Sequence, residues 1–137
     1  MGLDLTHNRG DIFRAFLEGI AMGTAQVFET YEAIGQNPKK IMAVGGGTKN
    51  NIWMQATSDF SKIDQVVSEK STGASYGNAF LAALAVGAVS QRDITRWNPP
   101  LSKIKTQHST LHAEKNKLFR QLYESSKEIA HAIADST

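Results

Sequence analysis

Three consecutive glycines, at positions 45–47, directly follow the short apolar run KIMAV at residues 40–44. The polar segment Thr48-Lys49-Asn50-Asn51 comes next. A glycine-rich turn between a strand and a helix lets the backbone approach a bound group closely, and its N–H groups can point at that group. A tight turn also needs one or two glycines for its backbone conformation alone. The triplet is therefore open to both a ligand-binding and a purely structural explanation.

The glycines lie inside a predicted strand–helix–strand unit. Residues 40–44 (KIMAV) and 63–67 (IDQVV) are β-prone runs bounded by turn residues, and residues 50–61 between them are predicted to be helical. That order requires a parallel pair of strands joined by a right-handed crossover. The triplet is thus predicted to connect the end of a parallel strand to the start of a helix.

The rest of the chain is predicted to be mainly helical. Apolar residues at three- and four-residue steps predict a long helix over residues 11–34, which Gly35 ends as a left-handed cap. Residues 74–88 predict a helix rich in Ala and Gly that can lie tight against a sheet. A final amphipathic helix is predicted over residues 113–134, whereas residues 90–112 have no clear periodicity and are predicted to be a surface connection.

Composition excludes several classes of function. The 137 residues are 41% hydrophobic, which suits a single domain over residues 1–137. Because 15 Lys and Arg nearly balance 13 Asp and Glu, no nucleic-acid partner is expected. The absence of cysteine excludes disulfides and thiolate metal sites and suits the cytoplasm. The most apolar stretch, residues 79–89, is too short to span a membrane, so no membrane association is expected.

Neither of the two common phosphate-binding loops matches the triplet. A P-loop needs Gly, four residues and then Gly-Lys-Ser/Thr, and no such spacing occurs in the sequence. The dinucleotide-binding fingerprint GxGxxG would need glycine at position 50, where the chain has Asn50. The triplet belongs to a third kind of glycine loop.

Three segments together resemble the C-terminal half of the FGGY family of carbohydrate kinases, members of the actin-like ATPase superfamily. They are VGGGTKNNIWMQATSDF at residues 44–60, RGDIFRAFLEGIA at residues 9–21 and STGASYGNAFLAALAVG at residues 71–87. Asn78 departs from the family pattern, which has alanine there. The resemblance implies an α/β fold, the distal part of an actin-like (ribonuclease H-like) ATPase domain, with short parallel strands flanked by several helices.

The resemblance also implies a function. Kinases of this family transfer the γ-phosphate of ATP to a sugar or polyol hydroxyl with Mg²⁺, and an N-terminal domain holds the sugar and the catalytic aspartate. A whole kinase is several times longer, so this chain resembles part of the C-terminal, nucleotide-binding lobe and is expected to be inactive alone. The expected partners are ATP or ADP and the sugar-binding domain. Apolar surface that the rest of the lobe would cover also favours homo-oligomers.

The resemblance assigns roles to the glycine loop. Gly46 and Gly47 would line the nucleotide near its ribose and α-phosphate, Gly45 would support the turn, and Asn50 would approach the adenine. Independently of the family, Asn50 occupies a position where an N-cap is expected, so capping is the alternative. Thr48 and Lys49 are weaker candidates for nucleotide contact, because an exposed lysine beside a turn is usually solvated.

No catalytic residue and no metal ligand is predicted in this chain. A general base would have to lie beside the γ-phosphate, and none of the acidic residues belongs to a motif that would bring it there. His108 and His112 are four residues apart but have no accompanying carboxylate pattern. Arg14 and Glu18 have the spacing of a structural ion pair on a helix surface.

Two other classes of protein remain open at this point. The same glycine loop would suit a nucleotide-dependent switch protein of the actin-like superfamily. Alternatively, the chain is a stand-alone interaction module that binds no nucleotide. The WMQ segment at residues 53–55 and the Arg-x-x-x-Glu-Gly helix favour the sugar kinase.

Overall fold

The computed structural model describes residues 2–70 and 73–136. These residues form five helices and three strands, with 3₁₀ turns at Gly46–Lys49 and Gln91–Asp93. In chain order they are α1 (Arg9–Ala33), β1 (Ile41–Ala43), α2 (Asn51–Ser61), β2 (Gln65–Ser68), α3 (Ala74–Ala85), α4 (Ile94–Trp97), β3 (Pro100–Ile104) and α5 (Thr110–Asp135). Over these described ranges, no helix has both the length and the apolar character needed to cross a membrane.

The strands form one mixed sheet in the order β1-β2-β3. β1 and β2 are parallel, with Ile41 opposite Gln65, and α2 connects them, which confirms the predicted strand–helix–strand unit. β3 lies antiparallel on the other side of β2, with Ser102 opposite Val67.

The prediction that residues 90–112 lack regular structure was therefore wrong. They contain α4 and β3. β3 is an edge strand whose side chains are largely exposed, so it shows no alternation of apolar and polar residues. It also begins at Pro100, a residue that edge strands tolerate and that favoured a loop in the sequence.

The core lies between α1 and α2, over one face of the sheet. Ala21 and Ala25 of α1 pack with Ala56 and Phe60 of α2, and all four are buried. Small side chains on both helices allow this close approach. The buried Gln65 side chain on β2 donates hydrogen bonds to the Met54 carbonyl and the Ser58 hydroxyl on α2, which anchors the sheet beneath the helix.

Local residues define the ends of α1. Asn8 and Asp11 form a capping box, so α1 begins at Arg9, two residues before the predicted start. Gly35 follows the helix with a φ of 80°, which confirms the predicted left-handed cap.

α3 does not pack against the sheet as the sequence suggested. Across Ala74–Ala85, all of which the structure describes, the buried residue is Phe80, whose ring lies 5.5 Å from that of Trp97. Tyr76 donates a hydrogen bond to the Trp97 carbonyl at 2.9 Å. A Cβ at Gly77 would meet no atom within 4 Å. Aromatic side chains, rather than the small ones, thus attach α3 to α4.

Candidate functional site

Gly45 makes the turn after β1. Its φ of 92° and ψ of −178° lie in a region that is essentially restricted to glycine. Its carbonyl accepts two hydrogen bonds from Thr48, one from the hydroxyl at 2.7 Å and one from the backbone N–H at 3.2 Å. Gly45 is therefore required by backbone conformation, and the Thr48 side chain stabilises the loop from within.

Gly47 is required by packing within the chain. A Cβ on Gly47 would lie 2.6 Å from Cζ3 of the Trp53 ring, closer than real Cβ atoms come to any neighbour. The Trp53 side chain thus occupies the space that a side chain at position 47 would take. The sequence shows Trp53 six residues later, but only the structure shows that its ring folds back under the loop.

Gly46 has neither of these reasons to be glycine. It is absent from the glycines with positive φ, so the explanation that the triplet needs glycine here for the turn is wrong at this position. A Cβ built on Gly46 would meet no atom within 4 Å, and the residue is exposed. The space above Gly46 is open, so a bound group can approach its backbone.

Asn50 caps α2. Its Oδ1 accepts a hydrogen bond from the Trp53 N–H at 3.1 Å, and its own N–H donates to the Gly47 carbonyl at 3.0 Å. The capping role expected of Asn50 is thereby confirmed. In the part of the chain that the structure describes, its side-chain Nδ2 has no hydrogen-bond partner, so this donor can still serve a ligand.

Lys49 projects from the loop into solvent. It is exposed, and no carboxylate within residues 2–70 or 73–136 forms an ion pair with it. The loop therefore presents one cation, one amide donor and one open backbone position on the same short segment. That set suits an anionic ligand with a polar ring.

A second polar cluster attaches the segment before α5 to α2. Asp59 is 7% exposed, and its Oδ1 accepts hydrogen bonds from the Gln55 side chain at 2.8 Å and the Gln107 N–H at 2.6 Å. The His108 ring contacts the Asp59 carbonyl at 2.8 Å. Because Gln107 lies 48 residues from Asp59, no local spacing in the sequence indicates this role.

Glu18 forms an ion-pair cluster between α1 and α5. Arg14 Nε lies 2.8 Å from its carboxylate, which confirms the predicted pair, and Lys115 Nζ reaches it from α5 at 2.6 Å. Burial alone would raise the pKa of Glu18. The hydrogen bonds and charges of Arg14 and Lys115 outweigh that effect and hold the pKa below its usual range.

The described residues hold no preassembled cluster of metal ligands. Mg²⁺ is usually held by carboxylates together with phosphates and water. No group of three or more His, Asp or Glu side chains that could hold a metal ion occurs among residues 2–70 and 73–136. No chemical step is therefore assigned to magnesium in this chain.

The parallel β1–α2–β2 unit with its glycine turn is that of an actin-like ATPase domain, as the sequence predicted. Residues 1–86 match the C-terminal domain of the FGGY family of carbohydrate kinases. The chain belongs to this family.

Relatives in sequence are sugar and polyol kinases. The chain is 32% identical over 87 residues to a xylulose kinase of Bacillus subtilis (strain 168), which covers 64% of the chain and 17% of that protein. It is 34% identical over 97 residues to glycerol kinase 1 of Thermotoga maritima, covering 70% of the chain and 20% of the relative. The chain thus spans about a fifth of the curated relatives that it matches.

Solved structures show the same similarity. Xylulose kinase from Rhodospirillum rubrum superposes with a TM-score of 0.81 at 26% identity, over 96% of this chain and 28% of that one. The structure of Plasmodium falciparum glycerol kinase with ADP superposes with a TM-score of 0.71 at 25% identity, over 93% of this chain and 26% of that one.

Proposed function

We propose that this chain forms the ATP-binding wall of a carbohydrate kinase that transfers the γ-phosphate of ATP to a hydroxyl of a sugar or polyol. Membership of the FGGY family supports the proposal, as does the similarity to a glycerol kinase whose structure was determined with ADP. Within this chain, Gly46 is the observation that supports the proposal, because neither the backbone conformation of the turn nor side-chain packing explains a glycine there. These relatives favour a kinase over an actin-like switch protein or an interaction module.

Each polar group of the loop has a role in this proposal. The backbone of Gly46 and Gly47 lines the ribose and α-phosphate, and Lys49 offers a charge to the phosphates. Oδ1 of Asn50 accepts the hydrogen bond of the α2 cap, and its Nδ2 is the group that we expect to bind the base, as a donor. The ring nitrogens of adenine are acceptors, so they suit this donor. Thr48 acts on the nucleotide indirectly, by holding the loop.

The remaining parts of the reaction lie outside this chain. Phosphoryl transfer depends on positioning, charge stabilisation and a base for the attacking hydroxyl, and bound ATP supplies the transferred group. No acidic residue lies on the 45–50 loop. Residues 1–137 are proposed to be one domain of a cytoplasmic enzyme, to which a sugar-binding domain contributes the base. We therefore expect the isolated chain to show no ATP-dependent phosphorylation of any pentose, hexose or polyol.

Fluorescence of Trp53 can test nucleotide binding directly. The chain has two tryptophans, so Trp97→Phe leaves Trp53, under the loop, as the reporter. Titration with ATP should give a saturable change in Trp53 emission. Gly46→Val should abolish this change while leaving the circular dichroism spectrum unaltered, because a branched side chain would fill the space that the nucleotide needs.

Gly77→Val is the matched control, since Gly77 is also exposed with open space around its Cβ but lies on α3. It should retain the ATP response. No saturable response in the Trp97→Phe protein would show that the isolated chain does not bind ATP, and an equal response in the folded Gly46→Val variant would remove Gly46 from a nucleotide site.

A further inference from the structure

Trp53 contacts the glycine loop, residues 45–50, through both its backbone and its ring. Its N–H donates a hydrogen bond to Asn50 Oδ1 at 3.1 Å. Three atoms of its ring lie within 3.3 Å of the position that a Cβ on Gly47 would occupy, the nearest of them at 2.6 Å. The Trp53 carbonyl accepts a hydrogen bond from the Thr57 hydroxyl at 3.0 Å, one turn further along α2. A single residue of α2 thus reaches both the middle and the end of the loop.

Hydrogen bonding alone does not fix the loop on the rest of the domain. In the described part of the chain, no hydrogen bond ties residues 45–50 to the sheet or to α1. The bonds that the loop makes either close it on itself, as between Thr48 and Gly45, or join Asn50 to the first turn of α2. The orientation of the loop on α2 therefore depends on the packing of Gly47 against the Trp53 ring as well as on the cap at Asn50.

This packing matters because the loop is rich in glycine. Glycine loses more backbone freedom on ordering than any other residue, so a loop that leaves room for a ligand at Gly46 and Gly47 is also costly to order. Fixing the backbone of one residue changes an equilibrium constant by about 5–30-fold. A rigid ring held on α2 orders Gly47 before a ligand arrives, and the ligand then binds without that cost.

The ring also decides from which side Gly47 can be reached. It occupies the space on the Cβ side of Gly47, so a bound group can approach this part of the backbone only from the opposite side. The neighbouring Gly46 has open space where its Cβ would be. Trp53 therefore supports the loop on one side and leaves backbone accessible to a ligand.

We propose that Trp53 is a positioning residue of the nucleotide site, whose ring orders Gly46 and Gly47 so that their backbone is ready to receive the ribose and α-phosphate. Trp53 acts through Gly47 and needs no contact of its own with the nucleotide. The nucleotide part of this inference rests on the proposed function, whereas the ordering of the loop by the ring does not depend on ATP.

Backbone NMR relaxation tests the ordering in the absence of ATP. The amides of Gly46 and Gly47 should have heteronuclear NOE values like those of α2 in the wild type and distinctly lower values in Trp53→Leu. Trp53→Phe keeps an aromatic ring beside Gly47 and should restore most of the order.

Phe60→Leu is the matched control, because Phe60 is a buried aromatic residue in the last turn of α2, away from the loop. It should lower the melting temperature and leave the loop as ordered as in the wild type. Unchanged NOE values at Gly46 and Gly47 in Trp53→Leu, or an equal fall in Phe60→Leu, would overturn the role of the ring.

Isothermal titration calorimetry with ATP tests the positioning. Trp53→Leu should raise the Kd for ATP about tenfold, within the range that ordering one residue implies. Trp53→Phe and Phe60→Leu should both bind ATP nearly as the wild type does. A Trp53→Leu protein with a lower melting temperature and an unchanged Kd would show a purely structural tryptophan and would overturn the proposal. If the wild-type chain gave no saturable binding, the proposed function would fail instead, and the NOE values would still decide whether the Trp53 ring orders the loop.

Discussion

Single alanine substitutions in the glycine triplet should have three different effects on stability. Gly45→Ala places a Cβ on a backbone with φ of 92°, where strain costs on the order of 1–3 kcal/mol. Gly47→Ala places a Cβ 2.6 Å from the Trp53 ring, and overpacking of this kind costs on the order of 1–3 kcal/mol. Gly46→Ala adds a methyl group in open space, so its effect should stay within about 0.5 kcal/mol.

Urea unfolding followed by circular dichroism measures these free energies directly. The three variants should unfold with the same dependence on urea concentration as the wild type, so that midpoints compare stability alone. A smaller residue at position 53, as in Trp53→Leu, should relieve the clash that Gly47→Ala introduces. The loss of unfolding free energy in the double variant Gly47→Ala/Trp53→Leu should then be smaller than the sum of the losses in the two single variants.

Two outcomes would refute this reasoning. If Gly46→Ala lost as much stability as Gly45→Ala, position 46 would have a structural requirement and its link to a ligand would fail. If the loss in Gly47→Ala were the same with tryptophan and with leucine at position 53, the ring would not be the reason for glycine there.

Two further perturbations test the contacts that hold α5. Asp59→Ala removes the acceptor of the Gln107 N–H. Loss of this part-buried hydrogen bond costs on the order of 0.5–1.5 kcal/mol, so the unfolding midpoint should fall; an unchanged midpoint would contradict the role of Asp59. The pKa of Glu18 is lower in the folded protein than its ordinary value of 4.5, so its contribution to stability is present above pH 4.5 and is lost as the pH falls through the folded pKa. Glu18→Gln should therefore flatten the acid limb of a plot of stability against pH, and an unchanged acid limb would show that Arg14 and Lys115 do not stabilise the charged carboxylate.

Much of the fold could be predicted because its determinants are local. The β-prone runs, the helix between them and the glycine turn follow one another within residues 40–67, and the observed β1–α2–β2 unit agrees with them. Gly35 and Asn50 also act within one turn of their own positions. The three motifs of the FGGY family lie within residues 9–87 and are each continuous in sequence, which is why the family could be inferred from the sequence.

Features that depend on contacts between distant segments could not be predicted. β3 pairs with β2 across more than thirty residues and carries no alternation, so nothing local favours a strand there. Asp59 and Glu18 gain their partners from residues 107 and 115, beyond any spacing that a helix or strand imposes. The small residues of α3 predicted close packing, but Tyr76 and Phe80 find Trp97 instead.

The glycine triplet shows where sequence information ends. The sequence by itself determines that the backbone between β1 and α2 is unusually free of side chains. The β-prone run before the glycines and the helical segment after them predict a turn that a nucleotide can approach. Only the tertiary structure separates the three positions, because a glycine's requirement depends on what its missing Cβ would meet. Gly45 is required by φ and Gly47 by the Trp53 ring, whereas position 46 faces open space. Those differences arise from through-space geometry, which three identical letters cannot encode.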